Sequence, residues 1–93
     1  MIAPNQVLTI DTDRAVWREI GDELVVLDVP TATYLNLNGS ARVLWKRLSE
    51  KATPTELTAA LTTTYNIPEE RATSDVQTFL EALKDRYLLS FTE

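Results

Sequence analysis

Tyr34-Leu35-Asn36-Leu37-Asn38-Gly39-Ser40-Ala41-Arg42-Val43-Leu44-Trp45 contains a change of backbone habit. From Thr33 to Leu37 the residues suit an extended strand. Asn38-Gly39-Ser40 then supplies residues that leave extended backbone easily and can cap a helix by accepting a bond from an early N–H. Beyond them Ala41, Leu44, Trp45 and Leu48 fall at i, i+3, i+4 and i+7, the spacing of one apolar helical stripe. A strand therefore passes within about two residues into a helix that runs from about Gly39 to Leu48.

Upstream of this joint the chain reads as β-ribbon. Ala15-Val16-Trp17-Arg18-Glu19-Ile20 mixes β-formers with charge and suits a half-buried strand. Gly21-Asp22 supplies a turn, because glycine reaches positive φ at little cost. Leu24-Val25-Val26-Leu27-Asp28-Val29 is nearly continuous and apolar, too short for a helix, and is expected to be the central strand covered on both faces. Pro30-Thr31-Ala32 makes the next turn. Val7-Leu8-Thr9-Ile10 is a candidate fourth, short edge strand.

Downstream the chain reads as helices. Thr53-Pro54-Thr55-Glu56 combines a threonine N-cap, proline at the first helical position and glutamate three residues after the cap, a capping box. That second helix carries Leu57, Ala60, Leu61 and Tyr65 on one face. It ends at Asn66-Ile67-Pro68, since the residue before proline is pushed out of the α region. The third helix begins near Glu69, where Glu69 and Glu70 suit the positive end of its dipole. Ala72, Val76, Phe79, Leu80, Leu83 and Tyr87 form its expected stripe, with Lys84 and Arg86 near its negative end. Leu88 to Phe91 is expected to pack back as a short extended tail. The expected fold is α+β and winged helix-turn-helix-like: an N-terminal three-stranded antiparallel β-meander followed by three α-helices.

Length and composition bound the function. Ninety-three residues support one core and leave little for a deep enclosed site, since a chain of this size buries roughly 60–70 % of its unfolded surface. One unit over 1–93, with its core at 15–89, is expected. With no cysteine and no histidine, the chain lacks a disulfide framework, a thiol nucleophile, the commonest metal ligand and the commonest neutral-pH acid–base. The first six residues carry no signal-peptide pattern, and no apolar run approaches the roughly 20 residues of a bilayer span. A cytoplasmic protein is the expectation. Paired carboxylates such as Asp11/Asp13 and Glu69/Glu70 read as solvated turns or helix starts. Asp11-Thr12-Asp13 is similar to the opening of a calcium loop, but Val16 and Asp22 stand where that loop needs glycine and glutamate. The two glycines, Gly21 and Gly39, are too far apart for a phosphate loop. No catalytic, metal or cofactor site is expected.

Two binding readings remain from the residues themselves. A helix-turn-helix reads DNA with its second helix. Here that is the segment from Glu69 to Arg86, which carries Glu69, Glu70, Asp75, Glu81 and Asp85 against Arg71, Lys84 and Arg86. Phosphate neutralisation drives DNA binding, so this helix, in a chain of net charge −5, opposes it. Peptide binding fits better. The Thr33-to-Leu37 strand has no proline or lysine to block pairing along its edge, and the third helix would stand beside it. For the apolar stripe of that helix, plain core packing is the simpler reading.

Several motifs in order carry a resemblance. They are Tyr34-Leu35-Asn36-Leu37-Asn38-Gly39-Ser40-Ala41 followed by Leu44-Trp45, the Thr53-Pro54-Thr55-Glu56-Leu57 helix start, the Tyr65-Asn66-Ile67-Pro68 turn, and Asp75-Val76, Phe79-Leu80, Leu83 and Tyr87-Leu88-Leu89. Together, across roughly Val16 to Leu89, the chain resembles the PqqD-like family, the recognition elements of ribosomally made, modified peptides. Its length, with nothing fused at either end, looks most like the stand-alone leader-binding proteins of lasso-peptide biosynthesis. Tyr87 departs from the pattern, since many members carry glycine at that helix end.

The resemblance implies that the chain binds the leader segment of a precursor peptide as an antiparallel strand added to the Thr33-to-Leu37 strand. Leader side chains would enter a groove against the third helix. The partners implied are the precursor, a transglutaminase-like leader peptidase and an asparagine-synthetase-like macrolactam-forming cyclase. The backbone of Thr33, Tyr34, Leu35 and Asn36 would pair with the leader. Leu27, Val29 and Tyr34 would line the sheet side of the groove, and Val76, Phe79 and Leu83 the helix side, flanked by Asp75 and Arg86. The alternatives are an acidic winged-helix regulator that binds DNA or a protein, and an antitoxin-like or structural subunit.

Overall fold

The computed structural model describes residues 2–92. Met1 and Glu93, the ends of the expected 1–93 unit, lie outside the described residues. The elements run β1 (Val7–Ile10), β2 (Ala15–Ile20), β3 (Glu23–Asp28), β4 (Thr33–Leu37), α1 (Gly39–Ser49), α2 (Pro54–Tyr65), α3 (Glu69–Asp85) and β5 (Leu89–Thr92). The α+β, winged helix-turn-helix-like reading is borne out: β2, β3 and β4 form an antiparallel sheet in that order, and three helices follow. Gly21, at φ 62°, turns β2 into β3.

The expectation that β3 is covered on both faces is wrong. Leu24, Val26 and Asp28 are buried, while Val25 and Leu27 between them are half-buried. Successive strand side chains point to opposite faces, and one face of this sheet meets the core. Trp17 of β2 stands edge-on to Trp45 of α1 on that covered face, with ring centroids 5.4 Å apart. Lys46 and Arg42 of α1 reach the Glu19 carboxylate at 3.2 and 2.8 Å.

The fourth strand forms, but outside the meander. β1 pairs antiparallel with β5, from Val7 opposite Thr92 to Ile10 opposite Leu89. Leu8 also exchanges two 2.9 Å backbone bonds with Ala52 in the α1–α2 link. The two ends of the described chain thus close over the helices.

The second helix starts as its sequence requires. The Thr53 hydroxyl accepts from the Glu56 N–H at 3.1 Å, and the Glu56 carboxylate accepts from the Thr53 N–H at 2.9 Å. Asn38 is the N-cap of α1, but its side chain makes no capping bond. Leu44, Trp45 and Leu48 of α1, Leu57 and Leu61 of α2, and Ala72, Val76, Leu80 and Leu83 of α3 form the core with Leu8, Leu24, Val26 and Leu88.

Tyr87 leaves the expected α3 stripe. It takes φ 61° and is 71 % exposed. Its N–H donates to the Lys84 carbonyl and the Leu88 N–H to the Leu83 carbonyl, both at 3.0 Å. This is the double bond pattern that ends a helix through one left-handed residue. Leu88, completely buried, takes the core place instead. The Arg14 guanidinium lies 5.6 Å from the Tyr87 ring centroid, a cation–π contact that offsets part of the strain of a tyrosine there.

Candidate functional site

β4 lies at the end of the sheet order β2-β3-β4, so among the described residues its outer edge has no strand partner. An antiparallel strand points alternate residues' N–H and C=O groups away from its one neighbour. A five-residue edge without lysine or proline is therefore open to a further strand.

The register sorts the side chains of this edge. Val26 faces Leu35, Leu24 faces Leu37 and Asp28 faces Thr33, so these β4 residues share the covered face. Leu35 and Leu37 are half-buried against the core. Tyr34 pairs with Leu27 and Asn36 with Val25, on the opposite face. Tyr34 is 68 % exposed. Leu27 and Tyr34 thus lie on the sheet face opposite the one that carries Leu24, Val26 and Leu35. The sequence expectation puts Leu27, Val29 and Tyr34 on the sheet side of the groove; the two-residue period of the strand sets Leu27 and Tyr34 on the face opposite Leu35 and Leu37. Val29 sits past the end of β3 at the hairpin turn, exposed.

On α3, Val76 and Leu83 are core residues, 1 % and 4 % exposed. Phe79 is half-buried against that core. Asp75 makes a 3.9 Å pair with Arg71 one turn earlier, both partners being well solvated, and pairs of this kind contribute little. At about 100° per residue, Asp75, Phe79 and Arg86 lie within about 40° of one another on the helix.

Arg86 joins this helix to the sheet. Its guanidinium lies 3.6 Å from the carboxylate of Asp28, whose side chain is 3 % exposed. Asp28 stands opposite Thr33, the first residue of β4. The ion pair therefore brings the C-terminal end of α3 to the start of the open edge. One Asp28 oxygen, Oδ1, has no hydrogen-bond partner among the described residues.

Asp28 is the residue that sequence reasoning missed. Its signal was present: it is the lone acid in an apolar run and falls in step with Leu24 and Val26. Reading the run as buried on both faces hid that alternation.

Elsewhere, two carboxyls tie elements together. The Lys46 ammonium and the Arg42 guanidinium hold Glu19 below the usual carboxylate range. The Thr53 N–H, with Arg47 nearby, does the same for Glu56. No helix among the described residues is long and apolar enough to cross a membrane.

The chain is similar to known proteins at the level of family and fold. The family described as Coenzyme PQQ synthesis protein D (PqqD) matches residues 23–89. A structure of TbiB1 in complex with the TbiA(beta) leader peptide is 32 % identical. Its TM-score is 0.81, with 88 % of this chain and 94 % of that chain covered. A structure of lasso peptide synthetase B1 complexed with the leader peptide is 20 % identical and shares the fold. Its TM-score is 0.78, with 89 % and 96 % of the two chains covered. No curated protein sequence matches this chain. The family match spans β3 through the start of β5, the whole of the open edge and of α3, and the chain belongs to the PqqD family.

Proposed function

We propose that this protein binds the leader segment of a ribosomally synthesised precursor peptide and delivers it to the enzymes that mature it. The leader adds as an antiparallel strand to the outer edge of β4, paired along Thr33, Tyr34, Leu35 and Asn36, with main-chain bonds at alternate residues. The observation that carries this reading is the position of β4 at the sheet's end, its outer edge unpaired among the described residues. The 32 % identity to TbiB1, seen with a leader peptide bound, supports it.

A docked strand alternates its side chains. Those turned toward the helices meet Leu35, Phe79 and Arg86, with Asp75 one turn before Phe79. Val76 and Leu83 act from beneath, as the packed floor that holds Phe79. Those turned the other way meet Tyr34 and, one strand further in, Leu27, with Val29 at the hairpin end. Ordering a flexible leader costs on the order of 2–5 kcal/mol. Two or three apolar anchors at roughly 1.5–3 kcal/mol each offset that cost. Side-chain anchors then set which sequence binds, and main-chain bonds set its register.

The protein itself does no chemistry in this reading and requires no cofactor. It works in the cytoplasm as a single recognition unit with its core at 15–89. It raises the local concentration of the precursor at a transglutaminase-like leader peptidase and an asparagine-synthetase-like, macrolactam-forming cyclase, the partners of lasso-peptide biosynthesis. Calorimetric titration with its cognate leader peptide tests the reading. Saturable one-to-one binding is expected, and no binding at tens of micromolar refutes it.

A further inference from the structure

A groove of about 890 Å³ runs between α2 and α3. Thr58, Ala59 and Thr62 form the α2 wall, and Thr73, Gln77 and Leu80 the α3 wall. Ile2 and Pro4 close one end. At about 100° per residue, Thr73, Gln77 and Lys84 lie roughly 120–160° around α3 from Phe79. Thr73, Gln77 and Lys84, exposed residues of its α3 wall, thus lie on a different side of the helix from Phe79.

Its chemistry selects the occupant. The walls are helix faces, whose backbone groups bond within each helix. Thr58 and Thr62 donate to the carbonyls of Pro54 and Ala59 at 3.0 and 3.1 Å. The Pro4 carbonyl accepts from both the N–H and the hydroxyl of Thr55. Nothing here offers a free strand edge, so an occupant must arrive with its own backbone bonds made, as a helix does. The rim carries Glu69, Glu81 and Asp85 against a single Lys84. None of these four makes an ion pair among the described residues.

We infer that this groove docks a cationic amphipathic helix of a partner protein. Its apolar residues at i, i+3 or i+4, and i+7 lie along Ile67, Ala59 and Ile2, and flanking lysines or arginines face Glu81 and Asp85. The inference draws on the adaptor reading only for its choice of partners: a leader-loaded adaptor must hold an enzyme by a surface the leader leaves free.

The test is an amide-shift titration of the leader-loaded protein with the purified peptidase and, separately, the purified cyclase. One of them is expected to shift amides along Thr55–Thr62 and Thr73–Lys84. The double substitution Glu81→Lys/Asp85→Lys should weaken that enzyme's binding by about tenfold or more at low salt, and Ala59→Arg should do so at any salt. Both variants should keep leader affinity within about twofold, because their sites lie outside the β4 edge and the Phe79 side of α3. The inference is overturned if neither enzyme shifts these amides, if the charge reversal leaves affinity unchanged, or if the same amides respond to protein concentration alone, as for a second copy of the chain. Failure of the wild-type protein to bind leader would instead count against the adaptor reading, and the enzyme footprint would still decide the groove.

Discussion

Replacing Arg86 with methionine should destabilise the fold more than replacing Asp28 with asparagine, although each change removes the same ion pair. At 3.6 Å the Coulomb energy is about 1 kcal/mol in water and about 4–5 kcal/mol at an effective dielectric of 20. Arg86 keeps 43 % of its side chain in solvent, so the lower part of that span applies, about 1–2 kcal/mol. The two ends of the pair are unequal, however. Asp28 is 3 % exposed, and its Oδ1 already has no partner among the described residues. Taking Arg86 away leaves a buried carboxylate uncompensated, which costs about 2–3 kcal/mol here, below the cost of breaking a fully buried pair. Asp28→Asn keeps the shape and removes the charge, and should cost about 1 kcal/mol. The double variant should then be less destabilised than the sum of the singles by about 1–2 kcal/mol. Urea unfolding followed by tryptophan fluorescence reads these differences as midpoint shifts at constant slope. If Arg86→Met costs no more than Asp28→Asn, or the two single costs simply add, Arg86 is not what compensates Asp28, and α3 is tied to the start of β4 by packing alone.

Further outcomes follow from the same geometry. Phe79→Ala should weaken leader binding about fivefold by calorimetry, because the ring is half-buried before the leader arrives and only its remaining face, worth roughly 1 kcal/mol, is left to cover. Tyr87→Gly should be more stable than Tyr87→Ala by about 1 kcal/mol in thermal unfolding. Both lose the ring's contact with Arg14, but only glycine relieves the left-handed backbone. Folding lowers the carboxyls of Glu19 and Glu56 from 4.5, so the stability they contribute is full above that value and lost as pH falls through their lower folded values. Glu56→Gln should accordingly flatten the fall in melting temperature between about pH 5 and pH 3.

What the sequence made legible was local. Thr53-Pro54-Thr55-Glu56 fixed a helix start to the residue because its capping bonds span three positions. The joint from Leu37 to Gly39 was equally plain. What stayed hidden needed distant partners. Val7–Ile10 reads as a weak strand, and nothing nearby says that it pairs with Leu89–Thr92 at the other end of the chain. The Leu24-to-Val29 run is apolar enough to pass for a strand covered on both sides. Only the placement of the helices shows that Leu27 and Tyr34 face one way and Asp28 and Leu35 the other. The site suffered most from this. Its backbone edge was legible as a strand, while the face that each of its side chains takes depends on its pairing with β3.

Amide hydrogen exchange with and without the leader addresses the strand-addition claim most directly. Saturating leader should slow exchange at alternate residues between Thr33 and Leu37, those whose N–H groups point away from β3. It should leave the outer edge of β2 unchanged. Leader binding with no protection along β4, or with protection appearing on β2 instead, would contradict it.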